Sequence, residues 1–206
     1  MIFCKLGLEQ TPIDLATSLK SDMSDRIDID YRPLPLRILK NGHTIQVSAE
    51  PGSACTIGGK RYELQQFHFH HPSEHVLSGR RFDLEAHLVH RANAGNFAVL
   101  GVFIKAGASN AALQSIWDVM PQSEAPERNA RGSFDPRSLV PKSSSYFRCM
   151  GSLTTPPCSE GLTWTVFREA IEAPADQIKQ FAALFPNNAR PLQSRNRRFV
   201  IEASSN

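Results

Sequence analysis

Two stretches of the chain alternate with a period of two, and nothing else in it restricts the fold as strongly. In Gln66–His70 (QFHFH), Gln66, His68 and His70 fall on one side and Phe67 and Phe69 on the other. In Leu84–His90 (LEAHLVH), Glu85, His87 and Val89 oppose Leu84, Ala86 and Leu88. Residues i and i+2 share a face only in an extended strand, so both segments are read as strands with one apolar side for a core. Ile45–Val47, Arg61–His70, Phe82–His90, Phe97–Lys105, Thr163–Phe167 and Phe199–Glu202 carry the same β-rich composition. Twelve Gly and fourteen Pro punctuate them, favouring short strands over long helices. Two helices are expected. One is capped by Ser109 and aligns Ala112, Leu113, Ile116, Trp117 and Met120; the other, Ala175–Phe185, aligns Ile178, Phe181, Ala182 and Phe185. Pro121–Ser145 reads as a long surface excursion, and Gly151–Gly161 (GSLTTPPCSEG) as a polar loop set between apolar strands. No repeat or linker divides the 206 residues. The expectation is a mainly β chain: one domain, residues 1–206, on a large, mostly antiparallel sheet with short peripheral helices.

Charge and cysteine content exclude several classes. A net charge of +3 with no five-residue basic block leaves no nucleic-acid footprint. No stretch reaches the roughly 18 apolar residues of a membrane span. Met1–Gln10 lacks a basic start and a long apolar run, so no signal peptide is read there. Cys4, Cys55, Cys149 and Cys158 form no C-x-x-C pair, which removes zinc-ribbon and thioredoxin readings.

All seven histidines lie between His43 and His90. If the two alternating strands pair, His68, His70 and His87 converge from adjacent rungs, and three neutral imidazoles with one open position form a catalytic zinc site. A single histidine on a strand is ordinarily a surface or hydrogen-bonded core residue. An H-x-H pair between aromatics, joined by a third histidine with Glu85 two residues before it, points more firmly to a metal. His71, His75 and His90 fall off these faces and are read as structural or surface residues. A rival pattern, His68-x-His70-x-x-x-Glu74, resembles the metal motif of cupin-type barrels, with Glu74 as a ligand for iron or manganese. That motif needs Pro-x-Gly before its last histidine, and Phe82–Ala86 has neither residue.

In order along the chain stand QTPI (Gln10–Ile13), Asn41-Gly42-His43, QFHFH (Gln66–His70), Ser73-Glu74-His75 and EAHLVH (Glu85–His90). AVLGVFIK (Ala98–Lys105), GSLTTPP (Gly151–Pro157), Leu162-Thr163-Trp164 and Asn188-Ala189-Arg190-Pro191 follow. Together, from Gly7 to Ala203, they resemble the alpha-class carbonic anhydrases. The resemblance implies zinc at the bottom of a cone in a twisted sheet, and reversible hydration of carbon dioxide to bicarbonate and a proton by zinc-bound hydroxide. By that resemblance His68, His70 and His87 are the zinc ligands, and Gln66 and Glu85 hold His68 and His87 through their other nitrogens. Thr154 accepts a hydrogen bond from the hydroxide and donates its own to Glu74. Val89, Val99, Leu153, Leu162 and Trp164 form an apolar wall for carbon dioxide, Thr155 lines the cavity, and His43 shuttles the proton outward.

The same resemblance pairs Cys4 with Cys158, a link across about 150 residues that stabilises by about 3–5 kcal/mol through chain entropy. Such a bond implies a periplasmic or secreted protein. The only partner implied is the small-molecule substrate, with a homodimer left open. Two departures stand out: nine residues precede Gln10 where the family has a longer Trp- and Tyr-rich segment, and Cys149 occupies a position where members carry Tyr. The first suggests a truncated reading of a precursor, the second a void near the zinc loop. A non-catalytic binding relative is the alternative class, and the presence of all three histidines with Thr154 and Glu74 argues against it.

Overall fold

The computed structural model describes residues 3–16, 18–21, 27–143 and 145–204; Met1 and Ile2 of the N-terminal stretch lie outside them. Among the described residues thirteen strands form one sheet. They are β1 (Leu19–Lys20), β2 (Ile27–Asp30), β3 (Leu34–Lys40), β4 (Ile45–Ser48), β5 (Ala54–Ile57), β6 (Lys60–His70), β7 (Leu84–Arg91), β8 (Phe97–Ala106), β9 (Ala125–Phe134), β10 (Ser145–Ser152), β11 (Glu160–Phe167), β12 (Ile171–Ala173) and β13 (Ile201–Ser204). Their spatial order is β1-β13-β10-β11-β8-β7-β6-β4-β3-β9, with β5 bridging β6 to β2 and β12 beside β8. Pairing is antiparallel except at β1–β13, β11–β8 and β12–β8. The helices are α1 (Phe3–Leu6), α2 (Ala111–Trp117) and α3 (Ala175–Leu184).

The alternation sorts side chains as expected. Phe67, Phe69, Leu84, Ala86 and Leu88 enter one apolar cluster, which α2 and α3 cover. There Trp117 stacks on Phe181 with centroids 5.3 Å apart and meets the edge of Phe69 at 4.9 Å. Each such aromatic, fully removed from water, contributes roughly 2–3 kcal/mol. Val89, Val99, Leu162 and Trp164 form a second cluster on the other face, the face that carries the histidines. Strand β8 is buried on both sides from Ala98 to Ile104, as a central strand with helices on one face and a packed site on the other must be.

Several local expectations change. The excursion at Pro121–Ser145 contains β9, which pairs antiparallel with β3, and a 3₁₀ turn at Pro136–Leu139. Strand β9 sits at the sheet edge with most side chains exposed, so it has no alternating apolar face to betray it. Its Glu127, Arg128 and Arg131 are the charges that protect an edge from further pairing. Helix α2 is capped by Asn110, whose Oδ1 accepts from Leu113 N–H at 3.0 Å, and not by Ser109. Strand β7 starts at Leu84, two residues later than expected. Gly151 and Ser152 belong to buried strand, which narrows the polar loop to 153–159. A Cβ on Gly151 would lie 2.4 Å from Thr11 Cγ2 and 2.7 Å from Trp164 Cδ1, so glycine is needed for this close approach.

Candidate metal centre

Strands β6 and β7 carry the three histidines, and their register sets His68 opposite His87 and His70 opposite Glu85. The rings lie 4.6–5.2 Å apart between centroids. One nitrogen of each falls within 4.8 Å of the other two. His70 and His87 are buried, and His68 is half-buried.

Each ring has one nitrogen already committed, and that fixes which one faces inward. His68 Nδ1 donates to Gln66 Oε1 (2.8 Å), His70 Nδ1 to the Asn188 carbonyl (3.2 Å), and His87 Nε2 to Glu85 Oε1 (3.0 Å). A carbonyl or carboxylate oxygen can only accept, so each of these nitrogens carries the proton. His68 Nε2, His70 Nε2 and His87 Nδ1 are left with lone pairs. His70 Nε2 is buried with no hydrogen-bond partner, an arrangement that costs free energy unless something fills the position.

Two buried carboxylates surround the rings. Glu85 is fully enclosed and takes three bonds: from His87, from His75 Nδ1 (2.8 Å) and from His75 N–H (2.7 Å). Burial alone would raise its pKa, but His75 and His87 outweigh that and hold it well below the usual range. Gly101 is the rung opposite His87, and a Cβ there would come within 3.1 Å of Glu85 Oε1. Glu74, 1% exposed, accepts from Arg190 N–H at 2.7 Å through Oε1. Its Oε2 has no hydrogen-bond partner and lies 3.8 Å from His87 Nδ1. Burial depresses the pKa of His68, helped by repulsion from His70 and His87, and burial likewise depresses His70. Burial also opposes protonation of His87, but Glu85 and Glu74 outweigh it and raise its pKa. Three inward-facing imidazole nitrogens beside two buried carboxyl groups suit a dication.

His68 and His70 open onto a cavity of about 760 Å³ bordered by His43, Gln66, Glu74, Thr154, Thr155 and Arg190. His43 is exposed at this cavity. Thr154 and Glu74 border it together, without a hydrogen bond between them. Val89, Val99, Leu162 and Trp164, with half-buried Leu153, pack as one apolar cluster, and Trp164 lies against His87 at 4.8 Å between centroids. Leu184, Phe185, Pro186 and Ala189 add apolar lining that the sequence reading did not single out. His75 and His90 are wholly buried; His90 Nε2 pairs with the Tyr31 hydroxyl at 2.7 Å. His71 Nδ1 donates to the Pro186 carbonyl at 3.0 Å. Of the cysteines, Cys4 and Cys158 form a disulfide with Cα atoms 5.1 Å apart, while Cys55 and Cys149 are free, buried thiols. Burial pushes Cys55 up to about 12 and Cys149 to about 11, which makes both poor nucleophiles. Among the described residues no helix is long and apolar enough to cross a membrane.

Partners of the ligands were the hardest residues to foresee. His75 and Asn188 reach the cluster through tertiary structure, and no spacing rule connects residue 188 to residue 70. The Asn188–Pro191 motif marked the segment without revealing its hydrogen bonds.

Residues 2–204 match the family described as eukaryotic-type carbonic anhydrase. A carbonic anhydrase of Nostoc sp. is 44% identical over 205 residues, covering 97% of this chain and 78% of that protein. A carbonic anhydrase of Neisseria gonorrhoeae is 40% identical, covering 97% and 79%. The solved alpha-carbonic anhydrase of Thermovibrio ammonificans, in complex with the inhibitor sulfanilamide, superposes with a TM-score of 0.93 at 40% identity, covering 97% of this chain and 89% of that one.

Proposed function

Because the chain belongs to the eukaryotic-type, or alpha, carbonic anhydrase family and is a carbonic anhydrase, we propose that His68, His70 and His87 hold a zinc ion at which carbon dioxide is reversibly hydrated to bicarbonate and a proton. The observation that carries this reading is the unpartnered His70 Nε2 beside two more inward-facing imidazole nitrogens. Three nitrogen donors with room for one more ligand are the donor set of catalytic zinc. Zinc bound there acts as a Lewis acid that makes water acidic enough to supply hydroxide near neutral pH. Glu74 is not within the convergent set, which favours zinc on three histidines over the iron or manganese alternative.

The chain's own residues do the rest. Gln66, Glu85 and the Asn188 carbonyl fix the tautomers and the aim of the three rings. Thr154 orients the attacking oxygen. If its hydroxyl donates to the open Glu74 Oε2, it can only accept from that oxygen. Val89, Val99, Leu153, Leu162 and Trp164 offer an apolar wall to uncharged carbon dioxide, and Thr155 lines the approach. His43, at the solvent side, takes the proton left by each turnover and releases it to buffer. The chain acts as one domain, residues 1–206, on its small-molecule substrate. Its disulfide supports a periplasmic or secreted location.

Metal analysis and stopped-flow hydration assays test the assignment. His68→Ala, His70→Ala and His87→Ala each lose most zinc and essentially all activity, while His71→Ala keeps both. Stoichiometric zinc with full rate in any of the first three overturns it.

A further inference from the structure

We propose that Asn188 is a positioning residue for proton release, its carboxamide tying the turn that carries His43 to the strand that carries His68 and His70. The inference rests on the shuttle reading of His43. Every polar group of Asn188 is used. Its backbone N–H donates to the His71 carbonyl (3.0 Å), and its carbonyl accepts from His70 Nδ1 (3.2 Å). Its Oδ1 accepts from His71 N–H (2.7 Å). The two side-chain N–H groups then reach two different elements: the His43 carbonyl at 2.8 Å and the Phe69 carbonyl at 3.1 Å.

The His43 turn needs such a tie. Within it, Asn41 Oδ1 accepts from the N–H groups of both His43 and Thr44 (3.0 Å each), and Gly42 takes a positive φ of 79° that glycine allows. These bonds shape the turn but do not fix its distance from the histidine cluster. Beyond the pairing of β4 with β6, which sets Gln46 opposite His68, side chains do so at Phe69: the Thr44 hydroxyl donates to its carbonyl (2.5 Å) and accepts from its N–H (3.2 Å), and the Asn188 amide donates to the same carbonyl. Only the Asn188 amide also grips the His43 carbonyl itself. One planar group thus joins the residue before His70 to the residue that carries the proton outward, and a proton path through water depends on that separation.

Removing the side chain leaves the backbone carbonyl on His70 in place, so metal binding and proton release separate. Asn188→Ala therefore keeps one zinc per chain. Its kcat at low buffer falls about 5-fold with kcat/KM for carbon dioxide within about 2-fold of the parent, and imidazole buffer restores kcat. Asn188→Asp, which keeps an oxygen for His71 N–H but sets it against two carbonyls, behaves the same way and serves if the alanine variant does not fold. In a His43→Ala background, Asn188→Ala lowers kcat no further. A readout independent of turnover is the NMR spectrum of the metal-free protein, where the variant shifts the amide signals of His43 and Thr44. Loss of zinc, an equal fall in kcat and kcat/KM, or an additive loss in the His43→Ala background overturns the proposal while leaving the shuttle reading intact. Parent-like kcat in His43→Ala alone, at low buffer, overturns the shuttle reading itself.

Discussion

Acid should unfold this protein partly through a histidine that takes no part in catalysis. His90 lies on β7 with no solvent exposure, its ring 5.8 Å from that of Tyr31 and its Nε2 2.7 Å from the Tyr31 hydroxyl. Burial pushes its pKa down to about 4, against the opposing pull of the Ala98 and Leu88 backbone. In the unfolded chain the same ring titrates near 6.5. The unfolded state therefore binds a proton that the folded state refuses between these two values. The stability contributed by keeping His90 neutral is complete above pH 6.5 and drains away as pH falls towards 4. A gap of roughly 2.5 pH units corresponds to about 3 kcal/mol in total, of which about 2 kcal/mol is lost between pH 7 and pH 5. His90→Gln keeps an acceptor near Tyr31 but cannot titrate. Urea unfolding of the zinc-loaded parent and His90→Gln at pH 7, 6 and 5 gives the difference in stability, in which the other titrating groups cancel. That difference should shift by about 2 kcal/mol in favour of the variant across this range. Two parallel pH profiles would refute the reasoning.

Thr154→Ala is expected to slow hydration on the order of 10²-fold, the effect of removing one positioned catalytic hydrogen bond, with zinc retained. Glu74→Ala should also keep the metal; an emptied site by metal analysis would make Glu74 a ligand after all. Peptide mapping without reductant should recover Cys4 joined to Cys158 from protein made in an oxidising compartment. Cys4→Ser should lower stability in urea by about 2–5 kcal/mol. Gly151→Ala should lower both stability and rate, because the added methyl meets Thr11 and Trp164 beside the Thr154 loop; unchanged melting and turnover would show that the strand yields at no cost.

Legibility in the sequence followed the range of the interactions. Strands with one apolar face, such as β6 and β7, announced themselves because burial imposes a period of two over five or more residues. Strand β9 did not, since it meets β3 at an exposed edge where most of its side chains face water and the side-chain tie across the pair, Arg37 to Glu127, is a charged one. The nearness of His68, His70 and His87 could be read because it depends on two neighbouring strands. Glu85 could be placed beside His87 by the same rule. That its carboxylate is also gripped by His75, and that residue 188 closes on His70, comes from the path of loops, and loops carry no periodic signal. Phe185 counted correctly as an apolar residue, but nothing local told that it would face the cavity as well as Phe181.

The crossing of β8 by two kinds of neighbour has a temporal consequence. On one side β7 and β8 are joined by a short turn, and β6 and β7 by a modest loop, so the three imidazoles are gathered by contacts of short sequence range. On the other side β11 must arrive parallel to β8 from beyond α2, β9 and β10 before the Thr154 loop stands over the histidines. Contacts of that span are slow to form and, as parallel pairings, slightly weaker per residue than the antiparallel ones they meet. The β6–β7–β8 pairing that gathers the histidines is therefore expected to form before the β8–β11 seam that closes the site. Partial denaturation is expected to run in reverse, opening the seam between β8 and β11 first.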